Sequence, residues 1–192
     1  MATIRMAVPQ DIEALTKIRF DLVQEYDASI SANDYPAFSE SCKSFLLEAI
    51  ADGSKWKIWV AEVGDRVAAC MFLQLVEKVP RPGGDSAPFG YLTNVYTVPE
   101  YRGQGIGRRL LREITVWAAA QKLDFIIVWP SENSVAFYSR NGFSAVQASG
   151  YHVDSPGIKA AKLELVTVVH LYSRTIIEAA AGVLPLRLLR GF

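Results

Sequence analysis

The sequence predicts an α/β protein in which a mixed sheet of about seven strands is flanked by about four helices. Three observations lead there. Apolar or alternating runs of strand length recur along the chain, stretches with apolar residues at helical spacing separate them, and Gly or Pro punctuates the junctions. From the amino end the order is strand, helix, helix, hairpin, strand, helix, strand, helix, strand, strand, which suits a sheet covered by helices.

Residues 3–8, "TIRMAV", alternate as a strand does, and "PQDIEALTKIRFDLVQEY" then sets Ile12, Leu15, Ile18 and Leu22 on one helical face. "SESCKSFLLEAIADG" reads as a second helix closed by Gly53. "WKIWVAEV" and "RVAACMFLQLVEKV" are strand-like and meet at "GDR", a hairpin. Residues 80–88, "PRPGGDSAP", are expected to form an exposed loop. "FGYLTNVYTV" is aromatic and β-branched, a strand ended by Pro99, after which Ile106, Leu110, Ile114, Trp117 and Ala118 recur at helical spacing. "LDFIIVWP" is a continuous apolar run, predicted to be a strand buried on both faces. "NSVAFYSRNGF" reads as a short helix with Asn133 at its N-cap and Gly142 as its stop. "FSAVQASGYHV" and "AKLELVTVVHLY" are two final strands. Residues 1–172 make one domain, and residues 173–192, apolar and basic around Pro185, an extension that packs on the core or on a second copy as a homodimer.

At 192 residues the chain can bury a sizeable core, and 51% hydrophobic against 21% charged residues is the balance of a soluble globular protein. Lys and Arg equal Asp and Glu at 20 each, so no overall field points to nucleic acid. Cys42 and Cys70 lack the CxxC or histidine neighbours of a zinc site; no metal and a reducing, cytoplasmic setting are expected. "MATIRMAVPQDIEAL" lacks an apolar signal segment, and no uncharged apolar run reaches the roughly 18 residues of a membrane span.

The segment richest in chemistry is "VPEYRGQGIGRRLL", residues 98–111, with Gly103, Gly105 and Gly107 between a strand and a helix. Such a turn leaves backbone N–H groups without partners in front of the helix, where the helix dipole favours an anion. Arg102, Arg108 and Arg109 can add charge at its rim. A glycine turn used for tight packing, with solvated arginines, is the plainer alternative. A dinucleotide GxGxxG fails at Arg108, and a GxxxxGK[ST] loop fails because no Lys followed by Ser or Thr comes after these glycines.

"VPEYRGQGIGRRLL" resembles the Arg/Gln-x-x-Gly-x-Gly/Ala signature of the GNAT superfamily of acyl-CoA-dependent N-acyltransferases at Arg102, Gly105 and Gly107. "NSVAFYSRNGF" resembles the second signature of that superfamily, and the element order matches from residue 3 to about 172. The resemblance implies a mostly antiparallel sheet with one splayed parallel pair, strand 90–98 bulging away from strand 123–129. It implies acetyl-CoA as acyl donor and an amine acceptor, a small molecule or a protein amine. The pyrophosphate would be held by main-chain N–H groups of the turn at Arg102, Gly103, Gln104, Gly105, Ile106, Gly107 and Arg108. The pantetheine arm would pair with the strand edge at Val95, Tyr96, Thr97 and Val98 and bond to Asn133. Tyr138 would be the acid beside the sulfur.

Acyl transfer to an amine needs a neutral nitrogen, alignment, an oxyanion donor and a proton for the thiolate. A phenol, with a reference pKa of about 10, lies above a thiol and donates only as charge develops, which suits Tyr138. An N–H between Val95 and Thr97 is the expected oxyanion donor. Many relatives carry a Glu on this strand, but "LTNV" offers Thr93 and Asn94, neither a strong base. Glu77, Asp85, His152, a water chain or an amine that arrives deprotonated remain open, and so does a non-catalytic acyl-CoA-binding regulatory module. Tyr91, Tyr96, Trp56, Trp59 and Trp129 are expected to be mostly core. Asp27, Asp34, Glu40 and Asp85 with Tyr26, Tyr35 and Phe38 would tolerate a cationic amine, or form an exposed polar face.

Overall fold

Alternation along the central strands divides the interior into two cores. In a computed structural model, which describes residues 2–83, 86–146 and 166–170, the strand pair β2 (Trp56–Val63) and β3 (Arg66–Val76) turns at Gly64, φ 59°. Ile58, Val60, Cys70 and Phe72 face Leu15 and Ile18 of α1 (Ile12–Tyr26) and Leu46 and Ala49 of α2 (Tyr35–Asp52). Trp59, Ala61, Met71 and Leu73, one residue out of phase, face Leu110, Leu111, Ile114 and Ala118 of α3 (Ile106–Ala120). The other elements are β1 (Thr3–Met6), β4 (Phe89–Thr97), β5 (Phe125–Val128), α4 (Val135–Arg140), β6 (Ser144–Val146) and β7 (Val166–His170).

The sheet order among the described residues is β1-β2-β3-β4-β5-β7-β6, antiparallel throughout except for the parallel pair β4–β5. Arg5 ties its edge to the first helix: it donates to Asp11 at 2.7 and 2.9 Å and to Glu62 at 2.8 Å. Asp11 in turn accepts the Val8 N–H at 2.8 Å. Gly53, φ 58°, closes α2 as expected, although that helix starts at Tyr35, well ahead of "SESCKSF". No helix among the described residues is long and apolar enough to cross a membrane.

β4 is the irregular strand. Its register against β3 runs Leu73↔Leu92 and Phe72↔Thr93, then Cys70↔Tyr96, so β4 spends one residue more than β3. Asn94 sits in that bulge with φ 48°. The extra residue reverses the side-chain parity: Leu92 packs under α3, whereas Tyr96 packs against α1. Pairing with β5 stops at Leu92↔Val128, so residues 93–97 have no partner on β5. That is the splayed parallel pair the resemblance implied.

Three expectations need correction. β5 is buried on one face only: Ile126 and Val128 pack under α3, while Phe125 and Ile127 are half-exposed because α1 and α2 cover β2, β3 and the end of β4 instead. Asn133 is not an N-cap; it lies within a one-turn 3-10 helix, Glu132–Ser134, ahead of α4. β1 ends at Met6, two residues short of "TIRMAV". Of "FSAVQASGYHV" only Ser144–Val146 is a described strand, and His152, Asp85 and residues 173–192 lie outside the described residues.

The left-handed backbone at Asn94 yields a direct test. Asn94→Val should destabilise the protein by about 1–2 kcal/mol, since a Cβ-branched residue clashes there, whereas Asn94→Gly should not. Urea midpoints of the two variants check this.

Candidate active site

After β4 the chain makes one 3-10 turn, Pro99–Tyr101, in which the Tyr101 and Arg102 N–H groups bond back to Val98 and Pro99. Gly103, φ 76°, and Gly105, φ 74°, then adopt the left-handed conformation that lets the turn double back into α3. The first helical bond runs from the Arg109 N–H to the Gly105 carbonyl at 3.1 Å. The N–H groups before it lie outside the helical ladder, at the positive end of the α3 dipole.

In front of these groups opens a cleft of about 630 Å³ between α3 and α4. Gly103, Gly105, Ile106 and Gly107 form its backbone wall, and Thr97, Tyr101 and Phe137 its side walls. Among the described residues its charged lining is Arg102, Arg108 and Arg140, with no carboxylate. Gly107 does not need its φ, but a Cβ there would stand 3.6 Å from Thr97 Oγ1 and 3.7 Å from Phe137, so any larger side chain would project between them. A pyrophosphate fits this wall: backbone donors, a helix start and arginines at the rim.

Not every expected residue joins the cleft. Tyr96 and Val98 line a separate groove of about 380 Å³ on the α1 side, with Asp21, Gln24, Glu25 and Glu100. The bulge is the cause, because it turns Tyr96 away. Val95 packs on the α3 core instead. Gln104 Nε2 donates to the Glu100 carbonyl at 3.1 Å and is absent from the lining. Arg109 donates to the Ala2 carbonyl at 2.9 Å, so it is no rim residue. Asn133 is exposed and outside the lining.

Arg102 is engaged from three sides. Its Nε donates to the Thr97 carbonyl at 2.8 Å, its Nη2 to Glu25 Oε1 at 2.7 Å, and its guanidinium lies 5.1 Å from the Tyr96 ring centre. Tyr96 donates its hydroxyl to the same Glu25 oxygen at 2.6 Å. Burial opposes ionisation of Glu25, but hydrogen bonds from Tyr96 and Arg102 outweigh it and hold the carboxyl below the usual range. Burial, then the Glu25 contact, raises the Tyr96 hydroxyl. Glu25 thus clasps the start of the glycine turn to the end of α1. It lies 77 residues from Arg102 in the chain, and no spacing rule connects them. Arg140 and Asn141 were within reach, since they belong to "NSVAFYSRNGF" itself.

Tyr138, 3% exposed, lies between the Phe137 and Phe143 rings, 5.1 and 5.4 Å away. Burial raises its hydroxyl strongly, and the nearby phenols Tyr26 and Tyr91 add to the rise. Glu77 stands exposed just beyond Val76, five residues along β3 from Phe72, the partner of Thr93; at about 3.3 Å per residue that is roughly 17 Å along the sheet. Asp27 and Asp34 are engaged by Ser29 and Ser31 within their own turns, and Tyr35 and Phe38 pack on Phe20, so these residues do not form an acidic acceptor patch. Trp59 and Tyr96 are core as expected, whereas Trp129 is 45% exposed.

A family model of the acetyltransferase (GNAT) domain matches residues 54–145. Among solved structures, a GCN5-related N-acetyltransferase from Ralstonia eutropha is 26% identical with a TM-score of 0.64, over 80% of this chain and 99% of that one. A predicted acetyltransferase from Clostridium acetobutylicum, solved with acetyl-CoA, is 23% identical with a TM-score of 0.65, over 80% and 96%. The PaiA N-acetyltransferase from Thermoplasma acidophilum, in complex with coenzyme A, is 17% identical with a TM-score of 0.61, over 88% and 99%. No curated protein matches the chain. The domain match and the shared fold bear out the resemblance to the GNAT superfamily.

The Glu25 clasp predicts a pH signature. A carboxylate whose folded pKa is depressed stabilises the protein above its unfolded value, about 4.3, and loses that effect as pH falls through the folded value. The stability gap between the wild type and Glu25→Gln should therefore be full at neutral pH and close in acid. Urea midpoints across a pH series measure it.

Proposed function

We propose that the protein is an acetyl-CoA-dependent N-acetyltransferase that moves an acetyl group to a primary amine by direct attack in a ternary complex. The observation that carries this reading is the glycine turn opening on a cationic cleft beside the stretch of β4 that has parted from β5. The acetyl-CoA and CoA found in the Clostridium and Thermoplasma structures support it.

In this reading the N–H groups of residues 103–108 hold the pyrophosphate, with Arg108 and Arg140 neutralising it from the rim. The pantetheine arm follows the end of β4 at Val95, Tyr96, Thr97 and Val98, near Asn133, and carries the thioester into the β4–β5 gap. An N–H in this stretch stabilises the oxyanion as the amine attacks the carbonyl carbon. The C–S bond then breaks, Tyr138 gives its hydroxyl proton to the thiolate, and the proton that the attacking nitrogen sheds as the amide forms passes through solvent to the phenolate and restores it. Holding both reactants in one gap supplies on the order of 7–11 kcal/mol of the barrier reduction.

A second reading, a non-catalytic acyl-CoA-binding module, is favoured by one observation: Thr93 and Asn94 stand where many relatives carry a strand carboxylate. Thiol release from acetyl-CoA with a panel of amines separates the two, since a binding module releases none.

Calorimetric titration with acetyl-CoA tests both readings at once; absence of binding at millimolar ligand would remove them. Gly105→Glu and Gly107→Glu should abolish binding in a protein that still melts cooperatively, because each puts a carboxylate into the phosphate wall. Tyr138→Phe should lower kcat by about 10²-fold or more and leave acetyl-CoA affinity nearly unchanged. Equal turnover would take Tyr138 out of the mechanism.

A further inference from the structure

An acceptor must bring its nitrogen into the gap between β4 and β5, so the surface at the mouth of that gap limits what the acceptor can be. Pairing ends at Leu92↔Val128, which makes Thr93 and Trp129 the first residues beyond it. Trp129 packs edge to face on Tyr91 with ring centres 4.9 Å apart, and Phe89 stacks on Phe125, also at 4.9 Å. These rings lie on the face opposite Leu92, Ile126 and Val128, which pack under α3. The phosphate cleft opens between α3 and α4. Donor and acceptor therefore have opposite faces of the sheet from which to approach one gap.

At the gap end of the strip Trp129 keeps 45% of its surface exposed and Tyr26 67%. Tyr26, at the end of α1, places its hydroxyl 3.5 Å from Ser131 Oγ, two residues past Trp129. At the other end Lys78 and Asp124 neutralise one another in an ion pair, with Lys78 Nζ 5.1 Å from the Phe125 ring centre. Asp27 and Asp34, the nearest acids in the loop after α1, are engaged in their own turns. Among the described residues that touch these rings, the strip offers π faces and phenol oxygens, and its one carboxylate, Asp124, is paired with Lys78.

We propose that Trp129 and Tyr91, with Tyr26 at the rim, form the acceptor surface and select a primary amine carrying a flat apolar body, an arylalkylamine, over polyamines and lysine side chains. The ring of such an amine covers exposed aromatic surface, and its nitrogen, one short linker away, points into the gap. The inference rests on the acetyltransferase reading.

Thiol release under saturating acetyl-CoA, with 2-phenylethylamine, n-butylamine and spermidine in turn, tests it. 2-Phenylethylamine should show a kcat/KM about tenfold above the other two. Trp129→Ala should raise its KM about tenfold and leave n-butylamine within about twofold, and Trp129→Phe should recover most of the loss. Equal or better use of n-butylamine or spermidine, or an equal effect of Trp129→Ala on every amine, overturns the inference while the acetyltransferase reading stands. A protein that binds acetyl-CoA yet releases no thiol with any amine overturns both. Should Trp129→Ala fail to fold, the wild-type ranking and Trp129→Phe still decide.

Discussion

One extra residue in β4 organises the functional half of this molecule. A regular β4 would carry Leu92 and Tyr96 on the same face and offer β5 a full edge to pair with. The bulge at Asn94 reverses that parity, so Tyr96 turns to α1 while Thr97 turns to the glycine wall. It also ends the parallel pairing at Leu92, leaving main-chain groups of residues 93–97 without a partner on β5. Unpaired strand backbone is a liability in an ordinary fold and a binding edge where a ligand can complete the ladder. The cleft, the gap and the clasp on α1 all follow from where that bulge falls.

The anion site is built from position rather than from net charge. With 20 basic and 20 acidic residues the protein has no field of its own to offer a phosphate. The left-handed residues Gly103 and Gly105 aim main-chain N–H groups at one spot, and the dipole of α3 adds to them. Arg102, the arginine most visible in the motif, is held by Glu25 and the Thr97 carbonyl. Its role in the resting protein is thereby mechanical: it anchors the turn to α1, while Arg108 and Arg140 carry the charge at the cleft.

Much of the fold was legible before the structure, for reasons particular to each element. β2 and β3 are strand-like apolar runs that meet at a Gly-Asp turn, and α3 carries Leu110, Ile114 and Ala118 on one stripe, so local pattern and tertiary packing agree. β5 misled because an apolar run signals burial without saying on how many faces. Whether a second face is covered depends on how far α1 and α2 extend, which "FIIV" does not encode. Trp129 is expected in the core as an aromatic of an alternating strand, but β5 ends at Val128 and leaves it exposed. Arg109 was grouped with Arg108 by adjacency, but successive helix residues point about 100° apart, and that rotation carries Arg109 to the Ala2 carbonyl.

The sequence by itself determined the element order, the glycine turn between strand and helix, the exclusion of the two commoner nucleotide motifs and the resemblance to an acyl-CoA-dependent superfamily. Each of these is a local property, set by periodicity, backbone freedom or spacing within a few dozen residues. Only the tertiary structure decided which arginines face the cleft, that Glu25 clasps Arg102 and Tyr96, and that Trp129 stands exposed on Tyr91. Those are relations between residues distant in the chain. They depend on strand register and helix placement, where a shift of one residue moves a side chain to the other face of the sheet.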